Sequence, residues 1–219
     1  MMQMAFLEEN GWVLLKGAGI SLSIAALGCL IGLSLALMCV FLQSLPARYL
    51  RWLVSAYVNL FRGTPMLIQI LFLFFVLPGL NIHIPPYWTA VLAIGLNSGA
   101  YVSNIIRSGI LSVGKGQSEA AQVLGLSRLP AFFLIVIPQA LRVSVPTLGN
   151  EFITLVKDSS LASIIGVFEL SKQGELIMNR TYDAMQSYTW VALFYLCMTL
   201  SLSFIIHLIE NRVNKHVLR

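Results

Sequence analysis

EAAQVLGLSRLPAFFLIVIP, residues 119–138, is the stretch on which the reading of this chain turns. It opens on small residues suited to a short helix, carries a glycine at position 125, and closes on Pro138 after a run of large apolar side chains. On either side lie segments apolar enough for a membrane, and the gap itself holds Arg107, Lys115 and Arg128. Positive charge collects on the cytosolic side of a membrane. The stretch is therefore expected to be a docking element on that face, with residues 107–137 forming the loop.

Composition identifies the solvent. Of 219 residues, 58% are hydrophobic and only 11% charged, and the mean hydropathy is +0.82. Soluble domains carry about 25% charged residues, and this chain is far from that. The length fits a single domain, residues 1–219, with about five spans of roughly 20 residues each. The net charge of +5 does not indicate nucleic acid, because the basic residues sit at segment ends rather than in a patch. Cys29, Cys39 and Cys197 lie inside apolar runs and read as packing residues.

Five spans follow from the hydropathy pattern. Residues 17–47 carry no charge, the second run extends from Arg62 to about 80, the third covers 87–106, and the fifth covers 188–209. Between the second and third, PGLNIHIPP at 78–86 breaks the helix. The fourth is interrupted by Pro138, Arg142, Pro146 and Glu151, and is expected as one helix from about Pro138 to Lys157. Residues 159–170 form an apolar element too short to span and open to a re-entrant path.

Charge orients the bundle. Arg48, Arg51, Arg62, Arg107, Lys115, Arg128, Arg212, Lys215 and Arg219 fall on one side, against Lys16, Lys172 and Arg180 on the other. The first set belongs in the cytosol. The N-terminus is then outside and the C-terminus inside, as an odd number of spans requires.

Local chemistry gives further expectations. Thr64-Pro65 reads as an N-cap followed by a first-turn proline, with Arg62 at the headgroups. Ser118 can cap a helix beginning Glu119-Ala120-Ala121, and Gly125 can end it with a positive φ. Such a helix either docks into another protein's groove or lies among headgroups. Gly28-xxx-Gly32 and Gly95-xxx-Gly99 allow helices to approach closely. Gly109-x4-Gly114-Lys115-Gly116 imitates a phosphate-binding loop but lacks the hydroxyl residue and the preceding strand, so nucleotide binding is not expected. His83, His207 and His216 are dispersed, and neither a metal nor a cofactor is expected.

Several fragments, in order, resemble one family: RGTPMLIQ (62–69), NSGAYVSNIIRSGI (97–110), EAAQVLGLS (119–127) with IVIP (135–138), and FITLVKDSSLASIIG (152–166). They look like the membrane permease subunits of bacterial type I ABC importers, in the polar amino-acid uptake family. The resemblance covers most of residues 60–170. It implies an all-α transmembrane bundle with a five-helix core in the bacterial inner membrane, paired with a second, identical or different permease subunit. It also implies a cytosolic ATPase gripping the loop through Glu119, Ala120, Ala121, Gly125 and Pro138, and an extracytoplasmic binding protein delivering the amino acid. This chain would then form the translocation path while the partner hydrolyses ATP. Where the family usually has an acid and a glycine, this chain has Asn104 and Ser108, which leaves Arg107 without its usual neighbour.

Ionisable residues near a membrane need a partner or a wet cavity. Glu151, Lys157, Asp158 and Glu169 cluster near the outer end of the fourth span. They form either a solvated interfacial group or part of a substrate path. In the second reading Asp158, Ser159 and Ser160 join Thr64, Met66 and Gln69 around a small polar cavity, with Glu169 adding to a surplus of carboxylates that leans towards a basic amino acid. The alternative reading of the whole chain is an ion-coupled secondary amino-acid carrier, which would have no need of the cytosolic loop.

Overall fold

The computed structural model describes residues 2–214, so Lys215, His216 and Arg219 of the readings above lie outside the described residues. Those residues form an all-α bundle with no strand among them. Helix α1 runs from Met2 to Ser44. It starts well before residue 17 because residues 2–16 contain no proline and a single glycine. At 43 residues it measures about 65 Å, against roughly 30 Å of bilayer hydrocarbon. Pro46 ends it, by disfavouring helical backbone at the preceding residue.

The expected second span holds α3, Met66–Phe75, and a 3₁₀ turn at Leu77–Leu80. Before it α2 covers Arg48–Gly63, a stretch whose arginines the charge pattern placed on the cytosolic side, and the axis bends by 103° between α2 and α3. Pro65 is the physical reason: its ring drives Thr64 into extended backbone, φ −119° and ψ 143°. Thr64 therefore does not cap α3 as the sequence led us to expect. Its hydroxyl donates backwards to the Leu60 carbonyl at 2.8 Å, and Pro65 occupies the N-cap position.

α4, Pro86–Ser112, begins on a proline that has no N–H to leave unpaired. It crosses α1 where Gly28 and Gly32 meet Gly95 and Gly99. A Cβ on Gly28 would stand 2.6 Å from Ile94 Cγ2, and one on Gly99 2.9 Å from Leu35 Cβ. No side chain fits there, so the backbones come close, as small-xxx-small pairs permit.

Short helices α5 (Lys115–Val123) and α6 (Arg128–Ala131) follow. A wide turn at Phe132–Val136 then joins α6 to α7, Ile137–Asp158, without a break. The fourth helix thus starts about Arg128 and not at Pro138. A proline inside a helix cannot donate to the carbonyl four residues back and crowds it, and the widened turn directly before Pro138 makes that room.

A 3₁₀ segment at Ser159–Ile165 ends in left-handed Gly166. Its Ala162 and Ile165, with Val167 just beyond, pack into the main core beside Ile24, Ile70, Ile94 and Leu155. α8 (Leu170–Thr181) and α9 (Ala184–Asn214) complete the chain. Four stretches among the described residues are long and apolar enough to cross a membrane, Phe6–Ser44, Pro86–Ser112, Arg128–Ile165 and Ala184–Arg212, and the bent α2–α3 pair is a fifth if it forms one broken span.

Candidate functional site

The loop expected to dock is built on α5. Gly114 stands at its N-cap with no side-chain cap, and the helix begins at Lys115, four residues before Glu119. Ser118 is already inside it and donates to the Lys115 carbonyl at 2.8 Å, so it does not cap. The other end is as expected: Gly125 has φ +85°. Its N–H donates to the Gln122 carbonyl and the Leu126 N–H to the Ala121 carbonyl, both at 3.0 Å. That pair of bonds closes a helix on a left-handed glycine. Glu119 and Ala120 are exposed, while Ala121 is buried. Beyond them Val123, Leu124 and Leu129 are 86%, 82% and 70% exposed. Three large apolar side chains so bare within seven residues of a short loop are covered by nothing among the described residues. Pro138 is also exposed, on the long helix that starts at Arg128.

A cavity of about 470 Å³ opens where the α2–α3 bend faces α4 and α7. Thr64, Met66 and Asp158 line it together with Arg62, Tyr101 and Glu151. The bend is held by Gln69, which is buried behind it. Gln69 Nε2 donates to the Phe61 carbonyl at 2.8 Å and to the Thr64 carbonyl and hydroxyl at 3.0 and 2.8 Å. Asn97 Nδ2 donates to Gln69 Oε1 at 3.0 Å and to the Phe61 carbonyl at 3.1 Å. Gln69 thus satisfies carbonyls that the broken helix frees, and the cavity owes its shape to it.

The remaining named residues sit elsewhere. Ser159 is fully buried, donating to the Val156 carbonyl at 2.7 Å. Ser160 lines a separate cavity of about 360 Å³ with Lys157, Ser171 and Tyr195. Glu169 is fully buried at the N-cap of α8. It accepts from the Ser171 and Lys172 N–H groups at 3.0 and 2.8 Å, from the Ser21 hydroxyl at 3.1 Å and from the Tyr195 hydroxyl at 2.8 Å. Burial pushes its carboxyl above the ordinary value, and the four donors pull against that shift.

Sequence reading missed Arg62 as a cavity residue. Its guanidinium lies over the Tyr101 ring, 5.3 Å from the centroid, instead of reaching for headgroups. The signal was its position one residue before the Gly63-Thr64-Pro65 break, which turns the end of α2 towards α4. Arg107, short of an acidic neighbour, donates to Gln43 Oε1 at 3.1 Å.

The profile of a family described as the binding-protein-dependent transport system inner membrane component matches residues 26–219. The L-cystine transport system permease protein of Bacillus subtilis strain 168 is 40% identical over 96% of this chain and 91% of its own length. The glutamine transport system permease protein of Escherichia coli K12 is 38% identical over 92% of this chain and 93% of its own. Among solved structures, an amino acid ABC transporter crystallised with histidines superimposes with a TM-score of 0.90. It is 34% identical, over 94% of this chain and 96% of that one.

Proposed function

This chain belongs to the inner-membrane component family of binding-protein-dependent transport systems, the permeases of ABC importers, and from that membership we propose that it carries polar amino acids across the bacterial cytoplasmic membrane. The observation that supports this most is the set of charges lining the 470 Å³ cavity, one guanidinium (Arg62) and two carboxylates (Glu151 and Asp158). An amino acid presents an α-carboxylate and an α-ammonium, and such a site meets both. Clefts of roughly 300–1,000 Å³ are usual for small ligands. Two carboxylates against one guanidinium leave one acid free for a cationic side chain, which favours arginine or lysine over a neutral substrate. Thr64 and Met66 shape the wall, and Asp158 with Glu151 supplies the negative end.

The N-terminus is outside and the C-terminus in the cytosol, with residues 107–137 as the coupling loop. Two permease subunits surround the path, an extracytoplasmic protein delivers the amino acid, and separate ATPase subunits hold the Glu119–Gly125 helix. Closure of the ATPases draws the loops together and tilts α4, which ends at that loop, and α7, which begins there. No hydrolysis occurs in this chain.

The test is uptake by proteoliposomes containing the permease, its ATPase and its binding protein. ATP-dependent accumulation of labelled arginine, glutamine or cystine, unaffected by an ionophore, is the expected result. Uptake driven by an ion gradient without ATP would instead establish an ion-coupled carrier.

A further inference from the structure

A second cavity, of about 420 Å³, lies against the first. The two share Arg62 and Tyr101. Along α4, Asn97 belongs to the first cavity, Tyr101 to both, and Asn104, Ser108 and Ser112 to the second. Along α7 the order matches: Asp158, Thr154 and Glu151 line the first cavity, and Thr147, Ser144 and Val143 the second. The second cavity therefore sits between the first and the 107–137 loop, with the stacked Arg62–Tyr101 pair at the junction.

The electrostatics of the two differ. The first holds both carboxylates and Arg62. In the second, Arg62 is the single charged residue among the described lining residues, and hydroxyl and amide groups make up the polar remainder. A neutral, donor-rich chamber with one guanidinium attracts an anion and offers an ammonium no counter-charge. An arginine at the C-terminal end of α2 has a long, flexible stem, so its fork can turn about the Tyr101 ring while the backbone stays fixed.

We propose that the loop-side cavity is a second, transit subsite for the α-carboxylate of the transported amino acid, and that Arg62 carries that carboxylate past Tyr101 from the first cavity into the second. Binding is then graded. In the first cavity both ends of the amino acid are held; in the second only the carboxylate is, so the molecule is held less tightly near the exit. Conduction through any path requires a last site weak enough to leave. This rests on the amino-acid reading of the first cavity.

Cysteine protection in the full complex tests it. Cys29, Cys39 and Cys197 are replaced, and either Thr154→Cys in the first cavity or Ser108→Cys in the second is introduced. The rate at which a small charged thiosulfonate converts that thiol to a mixed disulfide, with release of the sulfinate, is then read during ATP turnover. The probe is whichever of L-arginine, L-glutamine and L-cystine the complex takes up fastest, compared with its α-amide. The amino acid is expected to slow modification at both positions, about tenfold at Thr154→Cys and several-fold at Ser108→Cys. At Ser108→Cys the amide is expected to give no protection, and adding Arg62→Met to remove it. Protection at Thr154→Cys with none at Ser108→Cys would overturn the transit subsite and leave the first site standing. Equal protection of Ser108→Cys by acid and amide would overturn the role of the carboxylate. Protection at neither position would remove the first site and the second with it.

Discussion

The proposed function assigns the selectivity of the first cavity to Glu151 and Asp158. Replacing either by its amide, Glu151→Gln or Asp158→Asn, removes a negative partner without changing volume. Uptake of a cationic amino acid should fall by at least tenfold, about 1.4 kcal/mol, and that of a neutral one by less. Competition between labelled arginine and glutamine in proteoliposomes reads the difference, and equal losses for both would remove the basic lean. Glu169 plays a different part. Its burial raises the folded-state carboxyl pKa, so the folded chain keeps that proton to higher pH than the unfolded chain does. The contribution is complete below the unfolded carboxylate value and is lost as pH rises through the raised one. Thermal unfolding of the detergent-solubilised protein should show wild type losing stability across that interval relative to Glu169→Gln, whereas parallel profiles would contradict it. From sequence, Thr64, Met66 and Asp158 could be grouped because each flanks a proline break or a charged helix end. Glu169 and Ser159 could not be separated from them, since burial at a helix start leaves no mark in a linear pattern.

The docking helix and the α1–α4 crossing carry the energetics at the next scale. Gly125 holds a left-handed conformation that costs other residues roughly 1–2 kcal/mol, and its close sets where Val123 and Leu124 face. Gly125→Asp or Glu119→Lys should therefore reduce ATP-driven uptake severely while the permease still inserts, and stimulation of the ATPase should fall in step. Normal stimulation in reconstituted complexes would contradict the docking role. At the crossing, Gly28→Leu drives a side chain into Ile94. Unlike the loop variants, it should lower the amount of folded permease recovered, because α1 and α4 can no longer close. Recovery equal to wild type would show that the contact tolerates separation. The long apolar helices are readable from hydropathy, whereas α2 and α8, mixed in polarity, are not. The α2–α3 bend is not readable either, because Gly63-Thr64-Pro65 reads equally well as the start of one helix and as the corner between two. The wide turn before Pro138 was hidden for a related reason: proline marks a break, and only the surrounding turn decides whether the helix ends or widens.

Across the whole molecule, α4 and α7 connect the charged cavity to the apolar α5–α6 knuckle. Topology and coupling stand or fall together, since the knuckle must be on the side where ATP is. The apolar spans and basic segment ends in the sequence already pointed to this arrangement, whereas the stacked Arg62–Tyr101 junction needed two distant segments brought together. The most direct measurement places a photo-crosslinking residue at position 123 in place of Val123, in membranes holding the complete transporter. Crosslinking to the ATPase subunit, changed in yield by ATP and absent when Leu124 is replaced by aspartate, is the predicted result. Reaction of that position with a membrane-impermeant reagent added from outside, or crosslinking to lipid alone, would contradict it.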